Sequence, residues 1–519
     1  MVRLHIPPES RMVAAVAGGA DLLIQLPWLT RLPAGWDSAQ FTMAVRHFDM
    51  AQHLPHPPGY YLYVCLGQLL HAFGLPPYQS LLVISVIATS VMVALVTYWA
   101  AEIAGWAAGV ATALLAVTSP LLVQFGTQGD SYALSGLLSA TVGYLCWREH
   151  RDPRRFPLSS LALAAAAGVR PTDALFLLPL WAVTQWHGGL RRLLLGGGLL
   201  AISGLMWIVP LLREVGGWER YHELLALQEQ FVRDRAPLLG HGDWSAAMMS
   251  ATALGLALTL GCAWLLVALT LQRPWRKYWP ALLLWVLPAL TFYAFVHIGS
   301  LGYLTLVLPG LLVLTGAAVG GWLQSQPRVA IPAVLLVCLS SVMLLGHPVL
   351  VGRQQRQAQL LAAQRVAAKL AGHDTLVLAP SRAEGPEGRG SLLNFRLAMY
   401  LFPDATVCYM PPERALLFGS HPNIARGWEG QFVDTPQVIP GIRRLLVLDD
   451  SLLRFVPARW SSRRVLMERD IHIREAPTHP TPCTIVLHPD GRLTVQDAEA
   501  SRATASFGGG RHTIAGSHP

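Results

Sequence analysis

The sequence predicts an α-helical polytopic membrane protein that continues into a small water-exposed α/β domain. Three observations carry this. Of 519 residues, 53% are hydrophobic and only 13% are charged, about half the ~25% charge of a soluble globular chain. The apolar residues are gathered into runs of spanning length. The basic residues are unevenly spread, with 19 of the 39 Lys and Arg before position 350 and 20 after it. So little charge over this length excludes a disordered protein and an ordinary soluble enzyme. The chain therefore divides into a membrane domain over 1–349, an extracytoplasmic soluble domain over 350–497, and a Ser-, Gly- and Thr-rich tail over 498–519 that is expected to be disordered.

Crossing a bilayer takes about 20 mostly apolar residues per helix. Runs that meet this fall at 11–29, 79–101, 106–125, 131–147, 156–169, 174–187, 192–212, 247–271, 279–297, 302–323 and 329–346, giving about eleven spans. The first carries Asp21 and has no cleavage pattern, which reads as a retained span. The run at 60–73 is short and opens on Tyr60, Tyr61 and Tyr63. Such aromatics favour the headgroup level, so it reads as an interfacial helix lying along the membrane.

Arginine placement orients the spans, because cytoplasmic loops collect Lys and Arg. With the N-terminus inside, Arg148, Arg151, Arg154 and Arg155, then Arg191 and Arg192, then Arg273, Arg276 and Lys277, then Arg328 all fall in cytoplasmic loops. An odd number of spans leaves the C-terminal domain outside. Segments 30–78, 126–130, 170–173, 213–246 and 298–301 share that outer face. High Arg and Ala with Lys only at 277 and 369 fits a GC-rich bacterial genome, and hence a plasma membrane.

The net charge of +9 does not argue for nucleic acid. Its arginines sit between apolar runs as topology signals rather than on a basic surface interleaved with aromatics. The six cysteines form no CxxC, which argues against a disulfide framework or a zinc site. The outer loops hold no His-x-x-x-His or dense carboxylate cluster, so a divalent metal is possible but unsupported, and no cofactor is implied. The absence of Walker A, strand-borne GxGxxG and GxSxG motifs argues against an ATP-driven pump and a soluble nucleotide-sugar enzyme.

The outer face carries the candidate chemistry. Asp37 follows the first span in Gly35-Trp36-Asp37-Ser38; it reads as a helix cap or as a general base. His56-Pro57-Pro58-Gly59-Tyr60 follows. The prolines fix an extended entry and Gly59 permits a tight turn. His56 is then a turn residue or a contact for substrate phosphate or acceptor. Asp130-Ser131-Tyr132 opens a helix, again as a cap or as a site acid. Arg170 and Asp173 flank Pro171, either as a local ion pair or with Arg170 binding phosphate, for which guanidinium geometry is suited. Arg213 and Arg220 begin the long outer loop, and His297, Gly302 and Tyr303 stand at the last outer turn.

The order and content of these pieces resemble the GT-C superfamily of polytopic glycosyltransferases, in particular the protein O-mannosyltransferase-like branch. The resemblance rests on Asp37, on His56-Pro57-Pro58-Gly59-Tyr60, on Asp130-Ser131-Tyr132, on Trp207-Ile208-Val209-Pro210 with Gly216, Gly217 and Tyr221, and on His297 with Gly302, Tyr303 and Pro309. The segment from Asn394 to Asp404 looks like an Arg…Tyr-Leu-Pro-Asp stretch of related bacterial proteins. The resemblance implies transfer of a sugar from a polyprenyl-phosphate carrier to a protein, lipid or polysaccharide acceptor, with Asp37 as the catalytic residue. At the second acid, relatives carry Glu where this chain has Asp130. Displacement at the anomeric carbon needs a base for the acceptor proton and a cation for the departing phosphate. Asp37 is the candidate base. Arg170, Arg213 or Arg220 is the candidate cation, with His56, Asp130, Tyr132, His297 and Tyr303 as further substrate contacts. A transporter or lipid-carrier flippase is the alternative. It is disfavoured because the chain shows no internal repeat and its polar blocks sit in loops on one face.

Overall fold

The computed structural model describes residues 8–233, 244, 248, 251–252, 278–296, 301–370, 372–380, 394–410, 416–418, 437–456, 463–466, 472–476, 483–488 and 493–496. The expected span at 247–271 lies almost wholly outside the described residues, and the tail at 498–519 entirely so. The chain forms two units. One comprises Met1–Pro33 with Gln40–Gln355, the other Ala34–Ala39 with Arg356–Pro519.

The first unit is helical: α1 (Pro8–Gln25), α2 (Trp36–Arg46), α3 (Tyr61–Ala72), α4 (Pro77–Ala104), α5 (Trp106–Val117), α6 (Pro120–Gly126), α7 (Tyr132–Arg151), α8 (Leu158–Val169), α9 (Pro171–His187), α10 (Leu190–Val215), α11 (Trp218–Arg233), α12 (Trp279–Phe295), α13 (Leu308–Ser325), α14 (Pro327–Ser340) and α15 (His347–Leu370). Helices α2 and α15 each run from one unit into the other. The expected domain boundary at 349–350 falls in the first turn of α15, which continues α14 through a π-helical stretch at Ser341–Gly346.

Every expected span outside 247–271 coincides with a described helix or helix pair. Four described helices are long and apolar enough to cross a membrane, or five if the pair α5 and α6, bent by 60°, makes one span. The difference from about eleven has visible causes. Helix α1 carries Glu9, Arg11 and Asp21, α7 ends on Arg148-Glu149-His150-Arg151, α8 has 12 residues, and α9 and α12 have 17 each. Pro120 starts α6 after the break at Thr118–Ser119, a position where its missing N–H costs no helical hydrogen bond. The run at 60–73 forms α3 with Leu66, Leu69 and Phe73 exposed, an arrangement suited to an interfacial helix.

The core of this unit gathers α4, α5, α7, α12 and α13. Its centre includes Trp99, Trp285, Tyr293, Leu312 and Ala317. Close helix approach depends on small residues: a Cβ on Gly320 would lie 2.5 Å from the Ala108 backbone. A second cluster (Phe41, Tyr60, Tyr63, Val169, Trp207, Leu211 and Tyr221) packs under the loops that the sequence places on the outer face.

The second unit holds α16 (Phe395–Leu401) and two sheets. The larger has the order β3-β2-β1-β5-β7-β6, the smaller β4-β8-β9. Here β1 is Thr375–Pro380, β2 Thr406–Met410, β3 Leu416–Phe418, β4 Gln437–Ile442, β5 Arg444–Val447, β6 Arg463–Leu466, β7 His472–Ala476, β8 Cys483–Leu487 and β9 Leu493–Gln496. Strand β1 is parallel to β2 and β5 and buried along its whole length. That accounts for its unbroken apolar sequence, because a central parallel strand is covered on both faces.

Candidate functional site

Arg170 lies between α8 and α9. Pro171 begins α9, and the residue before a proline is pushed out of the helical region. Arg170 is accordingly extended, with φ −155° and ψ 96°, and its side chain leaves the helix line. Only 5% of the residue is exposed. Its guanidinium carbon lies 4.6 Å from the centre of the Tyr303 ring, 4.7 Å from Tyr132 and 5.7 Å from Tyr60. A cation over aromatic faces is held by their negative quadrupole face. Asp173, one turn into α9, puts Oδ1 3.6 Å from Arg170 Nε and accepts a hydrogen bond from Ser135 through its other oxygen. Nε makes no hydrogen bond. The rings cover the faces of the guanidinium, and its donor edge is given no hydrogen bond among the described residues.

Each wall of the cage has a local cause. Tyr60 follows Gly59, at φ 106°, and is itself left-handed at φ 46°, so the chain turns sharply into α3. Its ring meets Phe41 edge-on at 5.0 Å. Tyr132 starts α7, and Phe125 packs on it at 5.1 Å. Tyr303 stands in a 3-10 turn at Leu301–Leu306. It stacks on Tyr293 with centroids 3.9 Å apart and rings 4° from parallel. Gly302 is required there, since a Cβ would meet the Tyr132 ring at 2.6 Å. Thr305 ties the turn down by donating to the Tyr132 carbonyl at 2.9 Å.

His56 borders this group. Its Nδ1 donates to Gln40 Oε1 at 2.7 Å. In the neutral ring Nε2 then accepts from the Tyr60 hydroxyl, 3.1 Å away. The Pro-Pro-Gly segment is held from below by Tyr221 of α11, whose hydroxyl donates to the Pro58 carbonyl at 3.2 Å. Burial pushes that phenol up, so it is a neutral donor. Gly216 and Gly217, at φ 100° and 113°, make the turn from α10 into α11 that brings Tyr221 there.

Asp130 belongs to a different cluster. It precedes α7, whose N-cap position is Ser131. The residue is buried, its carbonyl accepts from Ser85 at 3.2 Å, and its charge acts on Tyr63, Tyr78 and Arg353. Arg353, from α15, donates to the carbonyls of Gln124 and Trp28 at 2.7 Å each and to Thr127 Oγ1 at 2.6 Å. Nothing in the sequence singled out Arg353, Gln40 or Tyr293. An arginine within an apolar-to-amphipathic helix was the available signal for the first.

Asp37 lies in the first turn of α2 and is half-buried. It belongs to the second unit, whereas Gln40 of the same helix belongs to the first. Arg213 is exposed on the last turn of α10 and joins no described ion pair. Arg220 pairs with Glu223 at 3.1 Å on the surface of α11. His297 lies outside the described residues. Among the described residues, no group of three His, Cys, Asp or Glu side chains is arranged to hold a metal ion.

No family model and no curated protein matches the chain. Several solved structures are similar to it, among them two of ArnT. One is ArnT from Cupriavidus metallidurans in the apo state, with 14% identity, a TM-score of 0.53, and coverage of 89% of this chain and 97% of that one. The other is ArnT from the same organism bound to undecaprenyl phosphate, with 14% identity, the same coverage and a TM-score of 0.56. The chain has an ArnT-like GT-C fold. At this identity the likeness carries the fold, and it lends no support to the protein O-mannosyltransferase-like branch.

Proposed function

We propose that the protein is a membrane glycosyltransferase. It moves a sugar from a polyprenyl-phosphate carrier to a hydroxyl of a protein, lipid or polysaccharide acceptor outside the cytoplasm. The observation that carries this reading is Arg170, a buried guanidinium held by three tyrosine faces and one ion pair to Asp173 at 3.6 Å, with no hydrogen bond to it among the described residues. Planar N–H donors of this kind match phosphate oxygens. The solved structure of ArnT bound to undecaprenyl phosphate supports a prenyl-phosphate donor for a chain of the same fold.

In this reading Asp37 takes the proton of the acceptor hydroxyl. The freed oxygen attacks the anomeric carbon, the bond from that carbon to the phosphate oxygen breaks, and the polyprenyl phosphate leaves with the electron pair. Arg170 stabilises the charge that develops on the departing phosphate. A single displacement inverts the anomeric centre. His56, fixed by Gln40 and Tyr60, together with Tyr132 and Tyr303, would contact the sugar phosphate. Asp130, Arg213 and His297 are assigned to the same substrate on the sequence pattern alone. The membrane is the bacterial plasma membrane, with the N-terminus inside and the C-terminal domain outside.

Purified full-length protein, given radiolabelled undecaprenyl-phosphate-linked sugars in proteoliposomes, tests this directly. Asp37→Asn should lower transfer by roughly 10²–10⁴-fold, the usual contribution of a general base. Full transfer by folded Asp37→Asn protein would remove Asp37 from the mechanism. Carrier movement across the bilayer without transfer would support a flippase instead.

A further inference from the structure

A cavity of about 720 Å³ lies toward the other end of α7 from the arginine cage. At 1.5 Å per residue, Trp147 sits about 22 Å along that helix from Tyr132 of the cage. Helices α4, α7, α9, α12 and α13 wall the cavity, through Trp99, Trp147, Leu180, Leu282, Trp285 and Val313 among others. These walls are apolar and aromatic. Trp99 and Trp285 stack with centroids 6.2 Å apart. Trp285 Nε1 donates to the Leu306 carbonyl at 3.0 Å, in the turn that carries Tyr303.

The rim of the cavity is charged. Glu102 near the end of α4, and His150 and Arg151 at the end of α7, line it, on the side where the charge pattern places the cytoplasm. Glu102 is engaged locally: the Tyr144 hydroxyl donates to its Oε2 at 2.8 Å and accepts from Arg148 Nη1 at 3.2 Å. His150 stacks on His187 with centroids 4.1 Å apart. Arg151 has its guanidinium carbon 4.9 Å from the centre of the Trp147 ring. One face of it therefore rests on the cavity wall while the side chain stays exposed. In sequence, the stretch 253–277 that leads into α12 adds Arg273, Arg276 and Lys277 and no acid.

An apolar slot in a membrane unit that ends at an exposed guanidinium matches an amphipathic anion, with its chain in the slot and its phosphate at the rim. We propose that this cavity binds one acyl chain of an anionic glycerophospholipid from the leaflet on that side, with the lipid phosphate on Arg151. Volume selects the occupant. At about 30 Å³ per carbon, the room a water molecule takes in the liquid, an acyl chain of about 16–18 carbons fills roughly 500 Å³ and fits, whereas a polyprenyl tail of about 55 carbons needs about three times that. The lipid braces five helices of the unit from the side remote from Arg170, a part distinct from that of the sugar donor.

Native mass spectrometry of the full-length protein, delipidated in detergent and titrated with dioleoyl phosphatidylglycerol, tests this. Expected is one saturable adduct, about fivefold or more tighter than with dioleoyl phosphatidylcholine. Arg151→Gln should weaken it by about fivefold or more, the worth of one basic residue near a lipid phosphate. Arg328→Gln, which removes a basic residue of the same side outside the cavity lining, should bind as wild type. Ala281→Trp puts an indole into the cavity and should remove the adduct, with Val183→Trp in its place if that variant does not fold. Absence of the adduct, equal affinity for the two lipids, or wild-type binding by either Arg151→Gln or the filled cavity would each overturn the proposal. Undecaprenyl phosphate added to the saturated protein should form a second adduct beside the first. If it displaces the phospholipid instead, the cavity belongs to the polyprenyl chain and the proposal fails. None of these measurements uses glycosyl transfer, so failure here and failure of the proposed function are distinguishable.

Discussion

Arg170 and Arg192 are both buried arginines of the helical unit, and they are treated in opposite ways. Arg192, 7% exposed, has its donors taken up. Its Nη2 meets Glu149 Oε2 at 3.0 Å, its Nε donates to Gln185 Oε1 at 3.0 Å, and its Nη1 donates to the Arg155 carbonyl at 2.6 Å and to the Pro153 carbonyl. Glu149 in turn accepts from the Ser159 amide at 2.8 Å and hydroxyl at 2.7 Å. This network locks α7, α8, α9 and α10 together at the end where the charge pattern places the cytoplasm. Arg170 is 5% exposed but is held by ring faces and one ion pair at 3.6 Å. A buried charge whose donors are all hydrogen-bonded acts as a staple; one with no hydrogen bond among the described residues keeps donors for an anion in the proposed reading. Burial alone does not separate the two cases, whereas the hydrogen-bond inventory does.

Four substitutions sharpen this comparison, in decreasing order of expected effect. Arg192→Ala leaves Glu149 buried without its counter-charge, so it should destabilise the protein by about 3–5 kcal/mol. Equilibrium unfolding in mixed micelles would show this, and a near-neutral result would mean that the network is not a staple. Arg170→Lys keeps a charge beside Asp173 but loses the planar fork and the stacking. Transfer from an undecaprenyl-phosphate-linked sugar should fall by roughly 10²–10³-fold while unfolding stays close to wild type. The reverse outcome, a lost fold with normal transfer per folded molecule, would make Arg170 a second staple.

Gly302→Ala is a finer probe. The added methyl meets the Tyr132 ring at 2.6 Å, so the cage must open, at a cost of about 1–3 kcal/mol for overpacking. Transfer should fall with it, whereas Gly197→Ala, which has nothing within 4 Å of the added carbon, should leave both unfolding and transfer unchanged. The smallest expected effect is Tyr303→Leu. It removes one cation–π wall worth about 0.5–2 kcal/mol, while Tyr303→Phe should keep most of it. Comparing undecaprenyl phosphate binding by the two variants reads the difference; equal binding would show that the ring does not hold Arg170 for the ligand.

Much of the fold was legible because the helices are written as uninterrupted apolar runs, and each run outside 247–271 did become a helix or a helix pair. The strands at Thr375–Pro380 and Cys483–Leu487 were legible for the same reason. Strands such as Leu416–Phe418 and Leu493–Gln496 were not, since three or four residues give no period to read. Within the candidate site, the Arg170–Asp173 pair follows from spacing across Pro171, and Gly302 beside Tyr303 marked the last turn. Gln40 as the partner of His56 was hidden. So was Arg353, whose acceptors lie 226 to 325 positions away in sequence.

The sequence by itself determined what is local. Its run lengths and charge placement made a membrane protein with helices at known positions, and its prolines and glycines bent the chain at Pro171, Gly59 and Gly302. Only the tertiary structure decided which buried arginine gained a full set of hydrogen bonds and which, among the described residues, has an ion pair and ring faces instead. That choice depends on which acceptors come within about 3 Å, and those acceptors arrive from distant helices. It also decided that Ala34–Ala39 groups with Arg356–Pro519, because packing groups residues by the surface they bury and not by their order along the chain.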